Sequence, residues 1–122
     1  MTSPIDPSVF AQLEDLEDPD DPGFVDEMVD MFQAETPEIL TRIANALTEG
    51  DAYGVQAPAH KLKATSGLIG AMTMSGVAGQ IEVAAREGQL TGIAPMLTEL
   101  GTEYLRVCDH LAKTSERSAL AA

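Results

Sequence analysis

Apolar residues in this chain recur mostly at three- and four-residue steps, the spacing that gathers side chains onto one face of an α-helix. A short first helix is predicted from Ser8 to Leu16, after Pro7, with Val9, Phe10, Leu13 and Leu16 on one side. The stretch Glu17 to Gly23 ends it, because its two prolines and glycine cannot continue a helix. A second helix is predicted from Phe24 to Leu47, with Phe24, Met28, Met31, Phe32, Ile39, Ile43 and Leu47 as its apolar positions. Pro37 interrupts that run, and Thr36 with Pro37 could cap and open a new helix. One kinked helix is the reading adopted.

Gly50-Asp51 closes this helix and opens the third, from Asp51 to Leu68, whose inward stripe is Val55, Ala59, Leu62, Ser66 and Ile69. The fourth is predicted from Thr73 to Glu87, with Val77, Ile81, Ala84 and Ala85 apolar, stopping at Gly88. The last begins between Thr91 and Pro95, presents Met96, Leu97, Leu100, Tyr104, Leu105, Cys108 and Leu111, and ends near Lys113. No segment alternates β-branched and polar residues, and aromatics are only 4%, so no strand is expected. The predicted fold is all-α: an antiparallel four-helix bundle over residues 24–113, with a short extra N-terminal helix and acidic turn in 1–23 and a frayed tail in 114–122.

Charge narrows the function. A formal net charge of −13 disfavours nucleic acid, whose phosphates reward cations. Twelve of the 20 acidic residues precede the first basic one, Arg42. From Val55 to Leu90 the balance reverses, with Lys61, Lys63 and Arg86 against Glu82 and Glu87, leaving a mildly basic island around His60. Ala64 to Ile81 carries no charge over 18 residues, but four glycines, two serines, two threonines and a glutamine make it a poor membrane span. The first ten residues hold no basic residue and no apolar run, so they are not a secretion signal. A single cysteine excludes an internal disulfide. A cytoplasmic, free-standing protein with no membrane partner is expected.

Few residues offer chemistry. The two histidines, His60 and His110, have no second ligand at metal spacing, so no metal is expected. Asp18, Asp20 and Gly23 mimic a calcium loop, yet its last position is Val29, where a carboxylate must bind. His110 reads as a bundle-edge residue and Cys108 as part of an apolar face. On a helix, Lys63, Ala64 and Gly67 share a face with His60, away from the inward stripe. This pattern has two readings: a solvated histidine beside small packing residues, or an accessible phosphoacceptor whose charge Lys63 offsets.

The run His60-Lys61-Leu62-Lys63-Ala64-Thr65-Ser66-Gly67-Leu68-Ile69-Gly70 resembles the signature of histidine-containing phosphotransfer (HPt) domains, H-x-[LIF]-K-G-x-x-x-x-x-G. His60, Leu62, Lys63 and Gly70 fall on its defined positions, while Ala64 replaces the usual glycine. The resemblance extends from about Phe24 to Lys113. It implies a four-helix bundle in a two-component phosphorelay, with His60 as phosphoacceptor, Lys63 offsetting phosphate charge, and Glu82 on the next helix orienting the ring. It also implies docking through Lys61, Ala64, Gly67, Leu68 and Arg86. The implied partners are response-regulator receiver domains and a sensor histidine kinase; the receiver would bring Mg²⁺, and this chain would need no cofactor. No phosphate-binding loop is present, so self-phosphorylation from ATP is not expected. Two rival readings remain at this stage. One is a non-catalytic scaffold that binds or blocks a receiver; the other is an acidic adaptor that uses the Glu14 to Asp30 face against a basic protein.

Overall fold

A computed structural model describes residues 3–121, with side chains described for residues 3–113. Five helices follow in order: α1 (Pro7–Asp15), α2 (Phe24–Glu49), α3 (Ala52–Leu68), α4 (Met72–Arg86) and α5 (Ile93–Ala121). Among the described residues there is no strand, only an isolated bridge between Asp18 and Asp21 in the acidic turn. Helix α3 packs against α2 and α4, and α5 against α4 and α2, which closes the four long helices into a bundle. The backbone of α5 runs past Lys113, where the helix was expected to end. The side chains of the predicted tail, 114–122, lie outside those described.

The core confirms the third helix in full: Val55, Ala59, Leu62, Ser66 and Ile69 are all buried. Phe32, Ile39 and Ile43 of α2, Val77, Ile81 and Ala85 of α4, and Leu100 and Leu111 of α5 join them. Three predicted apolar-face residues point outward instead. Leu16, Met31 and Leu105 are 70%, 54% and 67% exposed. The buried arc of each helix is narrower than its apolar sequence pattern, and other residues take the inward places. In α2 the inward place goes to Thr36, whose hydroxyl donates to the Phe32 carbonyl at 2.6 Å. In α5 it goes to Val107 and to Glu103, which pairs with Arg106 one turn on.

Pro37 lies inside a single continuous α2, as the sequence reading favoured. Proline has no N–H, so the carbonyl of Gln33, four residues earlier, loses its helical donor. The Tyr104 hydroxyl of α5 donates to that carbonyl at 3.0 Å. Tyr104 also packs edge-on against Phe32, with ring centroids 5.7 Å apart. Burial raises the proton affinity of this phenol, and a contact with the half-buried Cys108 adds to it. A hydroxyl that keeps its proton remains a donor.

The N-terminal segment caps the bundle end near the α3–α4 turn. Ile5 is buried, and the Asp6 N–H donates to the Gly70 carbonyl at 2.8 Å. Gly70 has φ +86°, and a Cβ there would sit 3.0 Å from the Asp6 carbonyl oxygen. The glycine that ends the His60 motif therefore serves both the turn and the strap laid across it.

Candidate functional site

The site is built on the facing surfaces of α3 and α4. Asp51 caps α3 by accepting from the Gly54 N–H at 3.0 Å, which supplies a donor-satisfied start to the helix that carries His60. Because Ala59 and Leu62 point into the core, His60 between them points out. Its side chain is 68% exposed, while one ring edge is held: Nδ1 lies 2.5 Å from Glu82 Oε2 on α4. Glu82 itself is only 4% exposed. It lies one residue after Ile81 and three before Ala85, both buried, so the helix turns its carboxylate inward at the α3–α4 seam.

Burial by itself would raise the proton affinity of the Glu82 carboxyl. The hydrogen bond from His60 and the positive charges of His60, Lys63 and Arg86 outweigh that, so the group sits below its ordinary value of 4.5. An ionised carboxylate can only accept, so Nδ1 must carry the proton and a neutral ring keeps its lone pair on Nε2. That nitrogen is on the exposed edge. A nucleophile with a fixed tautomer is thereby presented to an incoming group.

Lys63 Nζ stands 3.5 Å from Glu82 Oε1. Its aliphatic stem crosses α4 at Gly79, where a Cβ would lie 3.4 Å from Lys63 Cδ. Ser75 of α4 donates through Oγ to the Lys63 carbonyl at 2.8 Å. The sequence reading missed both residues. Their signal was available in principle, since Ser75 and Gly79 precede Glu82 by seven and three positions and so share its side of α4.

The other expected residues divide into two groups. Ala64 and Leu68 are exposed and Gly67 is half-exposed, on the surface beside His60. Met72 and Val83, which the sequence reading did not single out, are 50% and 44% exposed, and Leu68 is 45% exposed. A shallow groove of about 660 Å³ runs along α4 past Lys63, Ser75, Gly76, Gly79 and Val83. The two remaining cations turn toward carboxylates of the chain itself. Lys61 Nζ pairs with Glu35 of α2 at 3.4 Å, and Arg86 lies 3.8 Å from Glu82 Oε1. Among the described residues no cluster of three metal-ligating side chains occurs, and no helix is long and apolar enough to cross a membrane.

Comparison with known proteins agrees with this geometry. The chain is similar to a pseudo histidine-containing phosphotransfer protein of Oryza sativa subsp. japonica, 29% identical over 97 residues. That alignment covers 78% of this chain and 64% of the relative, so the chain spans less than two thirds of the relative's length. Its fold matches the crystal structure of histidine-containing phosphotransfer protein B from Pseudomonas aeruginosa PAO1 with a TM-score of 0.80, over 98% of each chain at 24% identity. It matches a histidine-containing phosphotransfer protein from Medicago truncatula equally well, with a TM-score of 0.80 at 27% identity, over 97% of this chain and 83% of the other. The family model for the Hpt domain matches residues 27–111, which contain the whole of the His60–Glu82 site. With the motif, the bundle and this match in agreement, the chain belongs to the Hpt domain family.

Proposed function

We propose that this chain is the histidine phosphotransfer intermediate of a two-component phosphorelay, carrying a phosphoryl group on His60 Nε2. One observation carries the reading: a histidine with an open Nε2 edge whose other nitrogen is held at 2.5 Å by a buried, ionised carboxylate. In the forward step the Nε2 lone pair attacks the phosphorus of a receiver's phosphoaspartate. The P–O bond breaks, the aspartate carboxylate leaves, and a P–N bond forms. Return of the group reverses each change. Lys63 offsets the charge that arrives on Nε2, and the receiver brings the Mg²⁺. Little covalent chemistry falls to this chain beyond placing the ring in line with the phosphorus.

Support for a receiver as partner comes from the surface around the ring. Ala64 and Gly67 leave space for a close approach, and Leu68, Met72 and Val83 expose apolar area next to it. A receiver helix resting there would bring its aspartate over His60, with Lys61 and Arg86 at the margin. Phosphate would enter the relay from a sensor histidine kinase through such a receiver, in a cytoplasmic setting.

The name of the rice relative marks it as a pseudo phosphotransfer protein, which keeps open a scaffold that binds a receiver without accepting phosphate. Intact mass decides between the two. Wild type and His60→Gln are incubated with a panel of phosphorylated receiver domains. The expected outcome is one added phosphoryl group, labile in acid and stable in base, and absent from His60→Gln. Receiver binding without any transfer would replace this reading with the scaffold.

A further inference from the structure

Glu82 has two oxygens and three basic groups around it. Oε2 is taken by His60 Nδ1, while Oε1 faces Lys63 Nζ at 3.5 Å and Arg86 Nη2 at 3.8 Å. His60 and Lys63 come from α3 and Arg86 from α4; no described side chain of α2 or α5 forms an ion pair with this carboxylate. The two cations on Oε1 are not equivalent. Lys63 follows His60 by three residues and its side chain is 51% exposed. A phosphoryl group on Nε2 brings a charge of roughly −2 to that exposed edge, and a flexible ammonium turns toward it. Arg86 follows Glu82 by one turn of the same helix, the spacing that keeps an acid–base pair together whatever happens on α3.

We infer that Arg86 is a positioning residue for phosphotransfer, keeping Glu82 aimed at His60 Nδ1 once Lys63 has turned to the phosphoryl group. The inference rests on the phosphotransfer reading of His60. Its reason is the geometry of Glu82: Oε2 accepts from Nδ1, and with Lys63 turned away Arg86 is the cation that stays on Oε1 and fixes the carboxylate's rotation. A carboxylate that rotates off Nδ1 stops stabilising its proton, and the phosphorylated ring then gives that proton up at lower pH. When the P–Nε2 bond breaks, its electron pair returns to Nε2, and a proton held on Nδ1 lets the ring leave as neutral imidazole. Without that proton the leaving group is an imidazolate, a far poorer one. Arg86 never touches the phosphoryl group in this scheme; it acts through Glu82. The sequence alone suggested an outward role for Arg86, against the acidic pocket of a receiver, and the two roles have different kinetic consequences.

The test uses the full chain as wild type, Arg86→Gln, Arg86→Lys and His60→Gln. His60 is first phosphorylated with phosphoramidate, a donor too small to need a docking surface. The P–N bond of the donor breaks, ammonia leaves, and Nε2 takes the phosphoryl group. Transfer from the phosphorylated chain to a receiver domain is then followed at varied receiver concentration, from about pH 5 to about pH 8, where histidine and perturbed carboxylates titrate. Each variant rate is divided by the wild-type rate at the same pH, which cancels the pH dependence of the donor and of the receiver.

The expected result is a fall in kcat of about fivefold for Arg86→Gln at the alkaline end, the upper range for one half-exposed ion pair. The deficit shrinks as pH falls and solvent protonates Nδ1, KM for the receiver is unchanged, and Arg86→Lys recovers most of the loss. Nitrogen-15 titration of His60 Nδ1 in the phosphorylated chain moves downward in Arg86→Gln. A rise in KM alone makes Arg86 a docking residue and overturns the inference, as does a deficit equal at every pH. Failure of the phosphotransfer reading looks different: the wild type would take no phosphoryl group, or His60→Gln would take it equally well.

Discussion

Two pairs of helices in this bundle face each other across a polar contact, and they use it in opposite ways. Between α2 and α5, Tyr104 donates to the Gln33 carbonyl that Pro37 has left without a helical partner. Between α3 and α4, His60 donates to Glu82. Both contacts satisfy an acceptor that has little or only partial access to water, Glu82 buried and Gln33 half-buried. They differ in what remains open. Tyr104 has one hydroxyl and spends its proton on the repair. His60 has two nitrogens and spends one of them, so the other stays on an edge that is 68% exposed. The same rule of polar satisfaction thus gives a structural staple on one side of the molecule and a primed nucleophile on the other.

The sharpest way to break this comparison is Glu82→Gln. A glutamine of the same shape can still accept from Nδ1, but without charge, and its amide can also turn to present a donor. Phosphotransfer is expected to slow about tenfold, the scale on which loss of an orienting partner acts on a ligand histidine. A second readout follows from pH. The folded-state value of Glu82 is depressed, so its contribution to stability is fully present above the ordinary 4.5 and is lost as pH falls through the depressed value. Urea midpoints of wild type and Glu82→Gln should therefore converge on acidification below about pH 4.5 relative to their difference near neutrality. A constant difference across that range would show that the carboxylate is not held ionised by its neighbours.

Tyr104→Phe is the mirror experiment and the next in size. It keeps the ring against Phe32 and removes only the hydroxyl, leaving the Gln33 carbonyl without its donor. The expected loss of stability is about 1 kcal/mol, the net contribution of one hydrogen bond to a half-buried acceptor, with phosphotransfer within twofold of wild type. Stability is read by urea denaturation and transfer by intact mass. A large loss of transfer at preserved stability would mean that the α2–α5 contact reaches the site, and the division of labour drawn above would fail.

Neither partner pair was equally visible in the sequence. The inward stripe of α3 was legible residue by residue because small and aliphatic side chains at helical spacing leave one solution, and that stripe by exclusion put His60 outside. Glu82 was reachable only through the family resemblance. Nothing in Ile81-Glu82-Val83 says that the carboxylate is buried, because its burial depends on which way α4 rolls against α3. Tyr104 was read as one more apolar position, since its hydrogen bond joins residues 71 apart in the chain. Met31 and Leu105 were misplaced for the opposite reason: an apolar residue at the border of a helical face is placed by its neighbours' packing, not by its own hydropathy. Gly79 and Ser75 carry no chemistry in isolation, and their value appears only when the Lys63 stem lies across α4.

The smallest effect is expected from the largest block of charge. Glu14, Asp15 and Asp30 are exposed carboxylates of the acidic N-terminal half, and none forms an ion pair among the described residues. In water such groups are well solvated, and their mutual repulsion over a Debye length of about 8–10 Å is mostly screened. The triple variant Glu14→Gln, Asp15→Asn, Asp30→Asn should shift stability by no more than about 0.5 kcal/mol per site. The sign should be a slight gain, because it relieves self-repulsion in a chain of net charge −13. Transfer to His60 should stay within twofold at physiological salt. A tenfold fall would assign the acidic half a part in seating the receiver, and the face of α3 and α4 would then be only part of the docking surface. An unchanged rate would confine receiver docking to the face of α3 and α4 and leave these exposed carboxylates to the solvation of the protein.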